Sequence, residues 1–449
     1  MTATTPAGAN ASAPHDQTLL ETWNPEDEAL WAAGGRRIAR RNLLFSILSE
    51  HIGFSVWSLW SVLVLFLGPA YHIDAAGKFI LTSTPAAVGS ILRLPYSFAV
   101  TRFGGRNWTV FSALILLVPC GLAAFVVKPG VSYSTLLILA AITGVGGGNF
   151  ASSMTNINAF YPDRLKGWAL GLNAGGGNVG VATVQLVALA VLAWSGKGHP
   201  GLVAGIYLPL IVLAAAGAAI WMDNLPNRSA EKGAIREVAK RGHTWVISVL
   251  YIGTFGSFIG FGFAFGQVLQ VQFKHEFATP IDAAYVTFLG PLLGSLSRPV
   301  GGWLADKYGG AKVSLVNFGL MAAGAAVVYA ASQSASLAVF VTGFVALFIF
   351  SGVGNGSVYK MIPGLFAAEA EAKARRLSGA LIGLAGAVGA FGGVLVNLAF
   401  RQSFLSTKKG DAAYLSFLVF YLLCAGLTWA VYLRRSAVKS EAEAVPATA

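Results

Sequence analysis

The sequence predicts an all-α membrane protein of twelve transmembrane helices, built as two six-helix halves. Three observations predict it. Apolar residues make up 55% of the 449 residues and charged residues 11%, with a mean hydropathy of +0.65. Twelve apolar runs are long enough to cross about 30 Å of hydrocarbon. Segments of the first half recur in the second. The 54 glycines suit close helix packing in so apolar a chain.

The elements follow in chain order. Residues 1–41 read as a cytoplasmic arm, small and polar over 1–20 and disordered there by composition. Residues 24–33 read as a short surface helix. Asn24 suits its cap, Pro25 its first position, and Glu26, Asp27 and Glu28 its positive end. Trp23 and Trp31 suit the headgroup layer as anchors. The first half, 42–222, holds runs at 43–67, 78–100, 108–127, 134–161, 166–194 and 201–222. A polar loop, 223–244, follows. The second half, 245–433, holds runs at 245–272, 283–304, 312–332, 337–362, 377–400 and 412–433, and 434–449 is a tail.

Basic residues set the orientation. With the first run leaving the cytoplasm, 21 of the 31 Lys and Arg fall on the cytoplasmic side and seven outside. Both termini are then cytoplasmic by the positive-inside rule. The net charge of +12 is mostly this topology signal, spread over short loops, and nucleic acid is not an expected partner. The first apolar run starts near residue 43, which is unlike a cleaved leader. Cys120 and Cys424 both fall within runs, far apart, so neither a disulfide framework nor a metal site is expected. No catalytic constellation or cofactor motif sits in a plausible pocket, so an enzyme is not expected. GVGGGN at 144–149 follows apolar helix rather than a strand, so it is not a dinucleotide fingerprint.

The repeat places two arginines in the bilayer. GSILRLPYSFAVTRFGG (89–105) and GSLSRPVGGWLADKYGG (294–310) align without gaps, and Arg93 meets Arg298. Each lies about six or seven residues from the inner end of its run, roughly 10 Å at 1.5 Å per residue. A guanidinium in hydrocarbon costs about 3 kcal/mol or more and does not shed its proton. Snorkelling is unfavourable at this depth. Carboxylate pairing is limited, because Glu50 is the one acidic residue well inside a run. An anion shared by the two halves is the natural partner, since parallel repeats hold substrate near the midplane between them.

Other interior residues bear on that anion. Asn149, Asn156, Asn158, Asn173 and Asn178 crowd the fourth and fifth runs. Each serves either as interhelical glue or as a neutral ligand for an oxyanion. Phe150, Tyr251 and Phe255 serve either packing or the walls of a site. Glu50, His51 and Lys360 are the protonatable groups within runs. Glu50 either carries a proton, snorkels, or forms a static pair with Lys360 or an arginine.

These residues resemble a known family. GVGGGNFASSMTNINAFYP (144–162) and KGWALGLNAGGGNVGV (166–181) are similar to the first signature of the nitrate/nitrite porters of the major facilitator superfamily. GVGNGSVYKMIPGLF (352–366) and GLAGAVGAFGG (383–393) are similar to the second. WNPEDEALW, RNLLFS, LRLPYSFAVTRFGGR and YIGTFGSFIGF extend the resemblance over nearly the whole chain after residue 20. The resemblance implies the major facilitator fold and a nitrate site in which Arg93 and Arg298 clamp the anion. It implies that Phe150, Asn178, Tyr251 and Phe255 line that site, and Asn173 is counted with them as a substrate-binding candidate. Thr101 departs from the general facilitator pattern, in which many relatives carry Asp; Asp306 keeps it.

EHIGFSVW (50–57) and YKMIP (359–363) resemble the proton-coupled branch more than the exchangers. The expectation is a prokaryotic inner-membrane importer running nitrate/proton symport by alternating access. Its partners would be nitrate, nitrite, protons and the lipid bilayer, with a monomer as the working unit and no cofactor. Nitrate/nitrite antiport is the alternative, and a passive channel or an anion sensor a distant one.

Overall fold

The structure is a computed structural model that describes residues 14–196, 198–226, 233–277 and 280–434. The expected tail beyond 434, residues 1–13 of the arm and part of the central loop lie outside the described residues. All regular structure among the described residues is helical.

Among the described residues, ten helices are long and apolar enough to cross a membrane. They are α1 (Glu28–Phe66), α3 (Gly105–Val126), α4 (Tyr133–Phe160), α5 (Asp163–Ser195), α6 (Pro200–Trp221), α7 (Gly242–Gln272), α9 (Gly310–Gln333), α10 (Leu337–Phe366), α11 (Glu371–Thr407) and α12 (Asp411–Leu433). Two more, α2 (Ala75–Phe103, 29 residues) and α8 (Leu289–Tyr308, 20 residues), complete the expected twelve. These two are less apolar because they carry Arg93 and Arg298. Each also has an internal proline close after its arginine, Pro95 two residues on in α2 and Pro299 immediately after in α8.

The repeat is visible in the backbone. Gly104 ends α2 at φ 87° and Gly309 ends α8 at φ 89°. Both turns need the left-handed region, which a side chain resists. This explains why the GG pairs of the repeat coincide. The signature glycines let helices touch. A Cβ on Gly147 would lie 2.8 Å from the Gly89 Cα, and one on Gly256 would lie 2.8 Å from the Gly392 Cα. Across the halves, α2 packs along α11 and α5 along α8.

Toward the end of the bundle away from the central loop, the halves are joined by neutral hydrogen bonds. Gln267 Nε2 donates to the Ala75 carbonyl at 2.6 Å, and Gln185 Nε2 to the Gly262 carbonyl at 3.1 Å. Thr82 Oγ1 donates to Asn397 Oδ1 at 2.9 Å. At the central-loop end Glu237, Arg241, Glu369, Lys373 and Arg376 form an ionic network. Lys373 and Arg241 hold the Glu369 carboxyl below the usual carboxylate range.

The arm differs from expectation in three ways. Pro14–Glu21 is a helix, where composition suggested disorder. Asp16 on it is buried and bonds Arg37 and Arg41, which compensates for a weak intrinsic core. The cap of the next helix is Asp27, whose Oδ1 accepts from Ala29 and Leu30, and Asn24 instead bonds the Glu26 amide within the preceding turn. Helix then runs on into α1 with a widened turn at Trp31–Gly35. Trp23 and Trp31 pack edge-on against Phe160 and Tyr161, and Trp23 Nε1 donates to the Ala159 carbonyl. They hold the arm to the protein.

Candidate anion-binding site

Arg93 projects from α2 and is fully buried. Its Nη1 donates to the Gly386 carbonyl of α11 at 3.0 Å, a bond that crosses between the halves. Its guanidinium carbon lies 4.4 Å from the Phe150 ring centre, 4.8 Å from Phe255 and 5.4 Å from Trp57. Cation–π contact of this kind offsets part of the desolvation of a buried cation.

Arg298 projects from α8 and is also buried. Its Nη2 donates to the Tyr251 hydroxyl at 3.1 Å. Its guanidinium carbon lies 5.8 Å from the same Phe150 ring and 5.4 Å from Tyr359. The two cations therefore flank one aromatic side chain. No carboxylate among the described residues forms an ion pair with either. Arg93 Nε and Nη2 and Arg298 Nη1 are buried without a hydrogen-bond partner among those residues. Buried donors on a cation are costly to leave unpaired.

Local backbone irregularities place the rings. A tightened stretch at Gly144–Gly148 immediately precedes Asn149 and Phe150 in α4. A widened turn at Ile252–Gly256 carries Phe255 in α7. Such widened turns recur at functional sites. Phe150 from the first half meets Phe255 from the second at 5.8 Å, and Tyr251 stacks on Phe255 at 5.2 Å. Asn178 is fully buried in α5 with both amide atoms unpartnered.

The protonatable candidates are dispersed. Glu50 is fully buried in α1. Its Oε2 accepts from Ser153 Oγ and from Asn173 Nδ2, the latter at 2.6 Å, and its Oε1 has no partner. Asn173 is thus committed to Glu50 and Ser153 within the first half. Gly177 makes this possible, because a Cβ there would lie 2.5 Å from the Glu50 Cδ. His51 turns to α5, with Nδ1 3.0 Å from the Gly176 carbonyl. Lys360 pairs with Asp306 at 2.6 Å, and both side chains are substantially exposed at 43% and 56%. Static pairing of Glu50 with Lys360 or an arginine is absent among the described residues.

Four contributors escaped the sequence reading: Trp57, Ser153, Tyr359 and the Gly386 carbonyl. Trp57 and Tyr359 lie in stretches that carry the family resemblance, EHIGFSVW and GVGNGSVYKMIP, and that was the available signal. Tyr359 stacks on Tyr251 at 4.2 Å and donates to the Ile382 carbonyl at 3.2 Å. A backbone carbonyl leaves no side-chain signal at all.

The chain is similar to known proteins over most of its length. The Major Facilitator Superfamily model matches residues 45–397. The nitrate/nitrite transporter NarU of Escherichia coli is 37% identical over 451 residues, covering 93% of this chain and 96% of that one. NarU of Salmonella typhimurium is 36% identical over 455 residues, covering 94% and 97%. A probable nitrate/nitrite antiporter, NarK2 of Thermus thermophilus, is 32% identical over 446 residues, covering 94% and 98%. Among solved structures, a D-xylose-proton symporter superposes with a TM-score of 0.69 at 15% identity, covering 87% of this chain and 97% of that one, and that likeness concerns the fold. The chain belongs to the major facilitator superfamily, within its nitrate/nitrite transporter family.

Proposed function

We propose that the protein imports nitrate across a prokaryotic cytoplasmic membrane by alternating access, as a nitrate/proton symporter with both termini cytoplasmic. The carrying observation is the pair of buried guanidiniums, one from each half, with unpartnered N–H groups and no carboxylate between them. Planar forks match a planar oxyanion through bidentate hydrogen bonds. Phe150, Phe255 and Tyr251 wall the site, which suits a weakly hydrated anion. A bound anion neutralises the clamp and draws the halves together, and an empty clamp resists closure by repulsion.

Coupling rests on Glu50. A negative interior opposes nitrate entry by about 2.3 kcal/mol per 100 mV. A co-transported proton removes that opposition. Glu50 supplies a buried carboxyl held by Ser153, which lies on α4 three residues after Phe150. Lys360 is placed away from this cluster and His51 is bonded to backbone, so neither is assigned the proton.

Nitrate/nitrite exchange is the second reading, favoured by the antiporter description of the Thermus relative. Proteoliposomes separate the two. Under symport an inward proton gradient alone drives nitrate in and the lumen acidifies. Under exchange, uptake needs internal nitrite and is indifferent to external pH. Uptake that requires internal nitrite at every pH would sink symport and leave the anion clamp standing.

A further inference from the structure

Asn355 of α10 is 1% exposed, and neither its Nδ2 nor its Oδ1 has a partner among the described residues. Asn149 and Asn178 are the other described asparagines in that condition. A buried amide without a partner is unfavourable, and its retention asks for a ligand.

Its neighbours along the helix fix where it looks. Residues three, four and seven apart share a helical face. Four residues on, Tyr359 stacks on Tyr251. Seven residues back, Phe348 meets Phe258 edge-on at 6.1 Å. Asn355 therefore lies between two contacts with α7, opposite the stretch from Tyr251 to Phe258. The middle of that stretch is Phe255, which stacks on Tyr251 and lies 4.8 Å from the Arg93 guanidinium carbon. The flanking glycines take up the helix contacts. A Cβ on Gly354 would collide with the Thr254 side chain of α7, and one on Gly356 with the Arg298 carbonyl of α8. The face between them is left to the amide.

We propose that Asn355 contacts the bound anion and sets its specificity, its Nδ2 donating to an anion oxygen from the second half as Asn178 does from the first. This rests on the nitrate reading of the site. Two guanidinium forks gripping nitrate use two of its O–N–O edges and hence all three oxygens. Nitrite has two oxygens and one such edge, so the forks and an additional donor compete for fewer acceptors. A site built to bond a group rejects the analogue that lacks it. Asn355 thereby favours the three-oxygen anion.

Calorimetric titration of the purified full-length protein with potassium nitrate and, separately, potassium nitrite tests this. Asn355→Ala is expected to weaken nitrate binding about tenfold, one hydrogen bond to a charged ligand, and nitrite binding by less than about threefold. The melting temperature of the anion-free variant should stay level or rise, because no protein partner is lost. Asn355→Ser, which keeps a small donor, should recover part of the nitrate preference. An unchanged nitrate-to-nitrite affinity ratio in Asn355→Ala overturns the proposal. A lower anion-free melting temperature also overturns it, since that marks a structural amide. If the unsubstituted protein binds neither anion, the nitrate reading itself fails and this one with it.

Discussion

Glu50 and Ser257 each precede an IGF segment by two residues, one in each half, and their surroundings differ in kind. The IGF segments lie at 52–54 and 259–261. Glu50 is a buried carboxyl held by Ser153 and Asn173. Ser257 is a neutral hydroxyl, 2.8 Å from the Tyr421 hydroxyl. The arginines differ too. Arg93 bonds across to Gly386, whereas Arg298 bonds Tyr251 within its own half. The repeat preserves the cationic clamp in both halves and keeps a protonatable group in one. On the proposed reading, anion binding is shared by the halves and proton coupling belongs to the first alone.

The largest expected effect breaks the clamp. Arg93→Lys and Arg298→Lys should each lower nitrate uptake in proteoliposomes by about a hundredfold, because a point charge loses the fork. Arg93→Lys should be the more severe, since it also loses the bond across the halves. Full uptake in Arg298→Lys would remove the second half from the site.

Glu50→Gln comes next and bears directly on the comparison. It should abolish uptake driven by a proton gradient, by about tenfold or more, while nitrate affinity measured by calorimetry changes less than about threefold. Ser257→Ala should leave the pH dependence of uptake as it was. Undiminished pH-driven uptake in Glu50→Gln would remove the asymmetry argued here.

Glycine contacts give a smaller effect, on stability. Gly256→Ala drives a Cβ at the Gly392 Cα, where only backbone can yield, and should destabilise by about 1–3 kcal/mol in thermal unfolding. Gly53→Ala meets the Asn149 side chain at 2.6 Å instead, and a side chain can turn away. Equal losses in the two variants would show that the contact type does not matter.

Lys360→Ala should change least. Its ion pair with Asp306 is solvent-exposed, and such pairs contribute about 0–1 kcal/mol. Uptake and its pH profile should stay within about twofold. Loss of pH dependence here would return Lys360 to the coupling machinery.

Legibility followed the physics of each feature. Spans were readable because hydrocarbon demands long apolar runs, and most run ends fall within a few residues of the helix ends. α1 departs most. Its helix starts at Glu28 because the arm docks on Phe160 and Tyr161, a tertiary contact that composition does not encode. The arginines were readable because burying a guanidinium is costly enough to need a reason. Asn173 was read beside the anion and lies instead with Glu50, since an amide looks the same in sequence whichever group it bonds. Lys360 fell within a run by hydropathy, yet a lysine near a helix end reaches the surface and there meets Asp306.

The sequence by itself determined the membrane class, the two-half repeat, the buried arginine pair and the family. Each rests on a large free-energy term, hydrocarbon burial or charge desolvation, or on motifs long enough to be specific. Tertiary structure alone decided which neutral groups meet. It joined Glu50 to Ser153 and Asn173, brought the Gly386 carbonyl to Arg93, stacked Tyr359 on Tyr251 and left Asn355 unpartnered. Those contacts depend on the rotation and depth of neighbouring helices, where a shift of one residue turns a side chain by about 100°.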